Sequence, residues 1–240
     1  MMCDYELKVV SGQLILLHKT LTEQVKQDVV NSQLYAQLYA SVKANKFSQA
    51  ITWDTRLTNA RAELKWSAAF TRASSPQPTD NASINATSLI MEQFAHAPHF
   101  DPPVMEEAIR CGLKALASSP MAQNVFFDSV LRVTKPDLSL KTAERSEVLM
   151  HVSVVNPDAH MIDVQVGFSV HQLLDEHVLD QWFAGKFVIG PMLLSVSEFE
   201  LDRSGFSDMR DRVVAGLDGA EATLIVDLDL QPPVLGRAIP

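Results

Sequence analysis

Over residues 147–171 apolar and polar side chains alternate with a period of two on both sides of a single turn signal. Val148, Met150, Val152 and Val154 alternate with Leu149, His151 and Ser153. Asn156, Pro157 and Asp158 then turn the chain, and Ile162, Val164, Val166, Phe168 and Val170 alternate with Asp163, Gln165, Gly167 and Ser169. Successive strand side chains point to opposite faces, so this stretch is a β-hairpin with one apolar and one polar face. Such alternation predicts an antiparallel sheet with one face buried and one face polar. Every other element has to be placed around it.

The rest of the chain supplies strands and amphipathic helices. Residues 5–18 read as a second hairpin, two β-prone runs joined by Ser11 and Gly12, with the glycine expected to supply the positive φ of the turn. From Thr20 to about Ala44 the spacing is helical. Leu21, Val25 and Val29 form one row, and Val30, Leu34, Leu38 and Val42 form another beside Tyr35 and Tyr39. Period two returns over 62–72. A weaker helix is expected over 87–96 and a stronger one over 102–117, with Asp101 as cap, Pro102 and Pro103 in its first turn, and Ser118-Ser119-Pro120 as its stop. Residues 125–134 read as β-prone, 172–183 as a short helix through Leu174, Val178 and Trp182, and 187–201 as a strand. The apolar phase of that strand switches between Val196 and Phe199, which predicts a bulge or bend. A short helix capped by Ser207 and a last strand over 221–230 complete the chain.

Seven or eight strands and three to five helices do not alternate as βαβ units. The fold class is therefore α+β: an antiparallel, hairpin-rich sheet or sandwich with amphipathic helices packed on it, the helices mainly in the N-terminal half and the strands mainly in the C-terminal half. Residues 74–83 hold two prolines and no large apolar side chain. They read as a mobile loop in preference to a domain boundary, which leaves residues 1–240 as a single domain.

Charge narrows the function classes. The 240 residues carry 20 Lys and Arg against 29 Asp and Glu, a formal net charge of −9. Nucleic-acid binders draw most of their affinity from neutralising phosphates, so no nucleic-acid partner is expected. The same deficit disfavours anionic lipid. Cys3 and Cys111 read as free thiols of a reducing compartment. The N-terminal residues lack a basic-then-apolar leader pattern, which points to a cytoplasmic protein or one released without a signal peptide.

Three groups of side chains have the composition of a chemical site. His96, His99 and Asp101 put two imidazoles and a carboxylate within six residues, a ligand set for zinc or a similar metal. His171, Asp175 and His177 form a second polar group suited to ligation or acid–base work. Asp227 and Asp229 share one face of the last strand, as carboxylates that hold Mg²⁺ or act as acid and base would. Each has a plainer reading: a surface loop with a helix cap, a solvated turn, and the polar face of an edge strand. No catalytic, cofactor-binding or metal residue is assigned on this basis, and no cofactor is expected. Nucleophile and phosphate-loop motifs are absent: Ser169 lies within a strand and not at a sharp turn, and Cys111 lies within an amphipathic helix.

These features point first to a non-enzymatic interaction or assembly protein acting through protein–protein contacts. A homo-oligomer is expected, formed through sheet edges or through the Tyr35 and Tyr39 face. The second reading is a membrane-acting or pore-forming protein, the only one in which a membrane is a partner. The third is a metal-dependent hydrolase built on Asp227 and Asp229.

Overall fold

The turn at Ser11 and Gly12 sets the first hairpin, β1 (Tyr5–Val10) and β2 (Gln13–His18). Ser11 takes the left-handed conformation at φ 52°, and Gly12 does not. The glycine leaves room for its neighbours: a Cβ there would lie 2.5 Å from Lys46 Nζ and 3.1 Å from a Val130 methyl, so a larger residue would displace the Lys46 side chain. The computed structural model describes residues 4–135 and 144–228. Within them the order continues through α1 (Glu23–Lys43), α2 (Ala50–Glu63), β3 (Trp66–Ser74), β4 (Ser83–Asn85), α3 (Ala86–Phe94), α4 (Pro102–Ala117) and α5 (Pro120–Val130). It ends with β5 (Leu131–Thr134), β6 (Arg145–Val155), β7 (His160–Val170), β8 (Trp182–Ala184), β9 (Leu193–Leu201), α6 (Arg203–Ser207), α7 (Arg210–Leu217), α8 (Glu221–Leu224) and β10 (Ile225–Leu228).

Helix ends follow local chemistry. Thr22 Oγ1 accepts from the Val25 amide at the start of α1, and Asn85 Oδ1 accepts from the Ser88 amide at the start of α3. Asp101 occupies the cap position of α4 without a side-chain cap bond, so Pro102 and Pro103 alone pre-form that first turn.

The main sheet has eight strands in the order β10-β1-β2-β6-β7-β9-β3, with β5 beside the first residues of β6. The α+β class expected from the sequence is the one found. The sheet is mixed, however: β2 and β6 run parallel, Leu14 opposite Val152 and Leu16 opposite Val154. β4 and β8 pair separately.

Helices cover both faces of the sheet. One face sends Val9, Leu14, Leu16, Val152, Val164 and Val196 into a core shared with Ile90 and Phe94 of α3, Ile109 and Leu116 of α4, and Phe126 and Val130 of α5. The opposite face packs Ile15, Leu17, Leu149, Val155, Met161 and Phe199 against α1, against Trp53 and Leu57 of α2, and against Val213 and Leu217 of α7. Arg210 fixes α7 to α1 by donating from Nε and Nη2 to the two oxygens of buried Asp28, at 2.7 Å each. β6 and β7, 11 residues each, are therefore buried on both faces.

Four sequence readings are corrected by this arrangement. Residues 120–130 are helical up to Val130, because Ser119-Pro120 starts a helix and Phe126 and Val130 reach the core one turn apart. Residues 172–181 form turns ahead of β8: Leu174 and Val178 are buried while Trp182 is exposed, so the three share no face. The bulge expected at 196–199 lies across the ladder in β3, between Ala68 and Phe70. Residues 221–224 form a helical turn, so the last strand starts at Ile225 and not at 221; residues 229 and 230 of the expected strand lie outside the described residues. The 74–83 segment is tied down by Pro76 O, which accepts from the Met192 amide, and Asp80 O, which accepts from the Lys186 amide. Among the described residues no helix is long and apolar enough to cross a membrane.

Candidate functional site

The face of the sheet beneath α1 and α2 is polar at its centre. Gln13 of β2, Glu147, His151 and Ser153 of β6, and Asp163 and Gln165 of β7 all point to it and are all buried. Buried polar groups cost free energy unless they are hydrogen-bonded. Glu147 bonds to Arg132 and Arg145, and Gln165 to Asp54 and Ser195. Gln13, His151, Ser153 and Asp163 are joined in one network. Asp163 lies at its middle. Arg61 Nη1 of α2 donates to Asp163 Oδ2 at 2.7 Å, and His151 Nδ1 lies 3.1 Å from the same oxygen. Ser153 Oγ donates to Asp163 Oδ1 at 2.6 Å. Gln13 Nε2 donates to Ser153 Oγ at 2.6 Å, and Gln37 Nε2 of α1 reaches Gln13 Oε1 at 3.1 Å. Arg61 Nε donates to Gln33 Oε1 at 2.9 Å. The helical layer thus supplies the partners that water would otherwise give the sheet.

Burial by itself would raise the Asp163 carboxyl. The Arg61 guanidinium and, after it, His151 and Ser153 more than offset this and hold it well below the usual carboxylate range. A cavity of about 330 Å³ opens beside the network, lined by Asp54, Thr58, Arg61, His151, Asp163, Gln165, Ser195 and Ser197 among others. Among the described residues, three buried side-chain atoms are without a hydrogen-bond partner: Arg61 Nη2, His151 Nε2 and Gln33 Nε2.

Asp163, His151 and Ser153 have the composition of a hydrolytic triad but not its connectivity. In a triad the hydroxyl bonds to the imidazole and the carboxylate holds the far nitrogen. Here Ser153 bonds to the carboxylate, and His151 Nε2 has no partner. The network therefore lacks an activated nucleophile. What it does is neutralise the polar rows of β2, β6 and β7 while α1 and α2 lie over them.

The residues singled out from sequence fall in other places. His99 does not meet His96 or Asp101; its ring and backbone amide bond to Glu198 of β9. His171 Nδ1 lies 3.5 Å from Glu144 O, and Asp175 Oδ1 accepts from the His177 amide, an ordinary turn contact. Asp227 pairs with Lys8 across the β1–β10 ladder, and Asp229 lies outside the described residues. Tyr35 and Tyr39 are half-buried, packed on the helical layer, and line a surface pocket with Leu64, Met209 and Val213. Trp53 and Trp66 are core residues, donating from their Nε1 atoms to Ser41 and Ser32. Sequence reasoning missed Arg61, since a lone arginine on a helix reads as solvent-facing, and Glu198. The phase switch after Val196 was a signal for Glu198: Leu194, Val196 and Glu198 continue one buried row in which the carboxylate takes an apolar residue's place.

No protein-family model matches the sequence, and no curated protein matches it. Among solved structures, a delta-endotoxin superposes with a TM-score of 0.42 at 10% identity, covering 80% of this chain and 84% of its own. The activated Cyt2Ba monomer from Bacillus thuringiensis subsp. israelensis gives a TM-score of 0.38 at 9% identity, over 79% of this chain and 97% of its own. At these values the likeness carries no argument, and the functional reading rests on the sheet itself.

Proposed function

We propose that this chain is a membrane-inserting, pore-forming protein held in a water-compatible state by its two helical layers. One observation carries the reading. Three adjacent strands, β6, β7 and β9, present an apolar row on one face and, on the other, a row that is polar at its centre and apolar at its ends, and helices cover both. The apolar row is Val148, Met150, Val152 and Val154, then Ile162, Val164, Val166 and Phe168, then Leu194 and Val196, after which Glu198 continues it in β9. The other row contains His151 and Ser153, Asp163 and Gln165, and Ser195 and Ser197.

An ordinary sheet covered on both faces by helices is apolar on both faces. A transmembrane β-barrel strand instead alternates, apolar toward lipid and polar toward the lumen. It needs about 9–11 residues to cross the bilayer. β6 and β7 have 11 residues and β9 has 9. A four-residue turn, closed by Asn156 Oδ1 accepting from the Asp158 and His160 amides, joins β6 to β7. The covering helices α1 to α5 precede β6 in the chain, and α7, which packs on the same face as α1 and α2, follows β9, so no covering helix lies between the three strands in sequence.

Three strands cannot close a barrel, which takes at least about eight. Insertion therefore requires several copies, and the homo-oligomer expected from the sequence becomes part of the mechanism. This favours the membrane-acting reading over the assembly reading, because a plain assembly protein has no use for a buried polar sheet face. The net charge of −9 favours zwitterionic over anionic lipid. Release of a trapped dye from phosphatidylcholine vesicles tests the proposal. Concentration-dependent release with a steep, cooperative onset is expected, and intact vesicles across a range of lipids and pH would rule it out.

A further inference from the structure

Glu198 is a carboxylate on the apolar face of the sheet, its side chain only 1% exposed. A charge so placed must be compensated, and its polar contacts run to two histidines, a hydrogen-bonded His99 and a more distant His160. The His99 backbone amide donates to Oε1 at 2.9 Å, His99 Nδ1 lies 2.7 Å from Oε2, and His160 Nε2 lies 3.6 Å from the same Oε2. The three ligand atoms lie within 4.8 Å of one another. They come from three separate elements: the loop between α3 and α4, the first residue of β7, and β9. His160 stands opposite Glu200 in the ladder and is thus the diagonal neighbour of Glu198 on the same face.

From this geometry we propose that His99, His160 and Glu198 form a binding site for a divalent transition-metal cation of the zinc type. Two imidazole nitrogens and one carboxylate oxygen are a borderline donor set, which suits Zn²⁺ and its neighbours and not Mg²⁺ or Ca²⁺. Tetrahedral ligands at bonds of about 2.0–2.1 Å are separated by roughly 3.3 Å. The His160–Glu198 span already fits, and the His99 ring has to retreat by about half an ångström. That ring is 69% exposed on a loop, so it is free to do so. The bond from the His99 amide holds Oε1 and leaves Oε2 facing the two rings, the outer-shell orientation that metal-binding carboxylates usually have. The exposed side leaves a fourth position for water. A bound ion ties the α3–α4 connection to β7 and β9.

The site shares β7 and β9 with the proposed inserting sheet, but zinc binding is measured on the whole chain in solution without a membrane, so its outcome is read independently of that activity. Protein stripped with EDTA is titrated with ZnCl₂ by calorimetry, beside His99→Ala, His160→Ala and His171→Ala. One Zn²⁺ per chain is expected, weakened at least roughly 100-fold by either of the first two changes, beyond what loss of an outer-shell partner does alone. His171→Ala should leave it unchanged. His99→Ala alters an exposed loop side chain, so it keeps the test valid even if His160→Ala disturbs the strand, as circular dichroism would reveal. No zinc binding, binding indifferent to His99, or equal affinity for Mg²⁺ would each overturn the proposal.

Discussion

Arg61 Nη1 and Asp163 Oδ2 meet at 2.7 Å with side chains 3% and 4% exposed, joining α2 to the middle of the sheet through a fully buried ion pair. The Arg61 guanidinium also lies over the Phe199 ring, 4.9 Å from its centroid. Buried pairs of this kind are weak contributors to net stability, because desolvation offsets most of their attraction. Their presence is better explained by what they permit: a polar strand row lying under a helix. In the proposed function the pair is the contact that has to open when α2 leaves.

Arg61→Met should destabilise the fold by about 3–5 kcal/mol, since it leaves the Asp163 carboxylate buried without its cation. Arg61→Met combined with Asp163→Asn should be more stable than Arg61→Met alone. The amide keeps the Ser153 and Gln13 contacts and removes the orphaned charge. Urea unfolding of the four proteins gives the coupling, and additive losses would show that the pair is not acting as a unit.

The same pair sets an acid limit. The Asp163 carboxyl is depressed in the folded state, so its contribution is fully present above the unfolded aspartate value near 4 and is lost as pH falls toward the folded one. The melting temperature of the wild-type protein should fall between about pH 4 and pH 2. That of Asp163→Asn, lower at pH 7, should fall less steeply over the same window. Parallel curves in differential scanning calorimetry would assign the acid loss to other carboxylates.

Lys46 carries the opposite burden. Burial lowers its ammonium to about 7, while Nζ donates to Ser129 O at 2.9 Å and lies over the Trp53 ring. An unfolded lysine titrates near 10.4, so between pH 7 and about 10.4 the unfolded chain binds more protons and stability rises with pH. Lys46→Met should therefore stabilise the protein at pH 6 by on the order of 1 kcal/mol, the equivalent of a single pH unit of the shift. The gain should vanish by about pH 10.5. A gain independent of pH would point to packing and not to charge.

The sequence makes the strands legible where side-chain parity alone sets them. The 147–171 hairpin and the 102–117 helix have the extents expected, because alternation and the Asp101-Pro102-Pro103 start are local signals. Residues 125–130 do not: Val125, Phe126 and Phe127 are β-prone, and packing of Phe126 and Val130 in the core overrides that preference. Helix α2 had a readable spacing in Trp53, Leu57, Ala60 and Leu64, but its polar remainder obscured it. Parity gave β7 a polar face correctly and could not reveal that a helix covers it, because burial of that face depends on Arg61 and Gln33 from elements remote in sequence. Glu198 was hidden for a related reason, since its partners lie 38 and 99 residues away.

Strand parity also supplies the sharpest test of insertion. In this structure residues 162 to 166 of β7 are buried on both faces, so an environment-sensitive nitrobenzoxadiazole label at any of them starts out shielded from water. Insertion as a barrel strand separates the two rows. Labels on single cysteines at 162, 164 and 166, in a chain carrying Cys3→Ser and Cys111→Ala, should stay bright on vesicles as they pass from the apolar core into lipid. Labels at 163 and 165 should dim as α1 and α2 withdraw and water fills the lumen. Retained and lost intensity have to alternate at every residue. A uniform change along β7 would mean that the strand unfolds or lies at the interface, and no change would mean that the helical layers stay in place and the protein acts on membranes, if at all, without inserting its sheet.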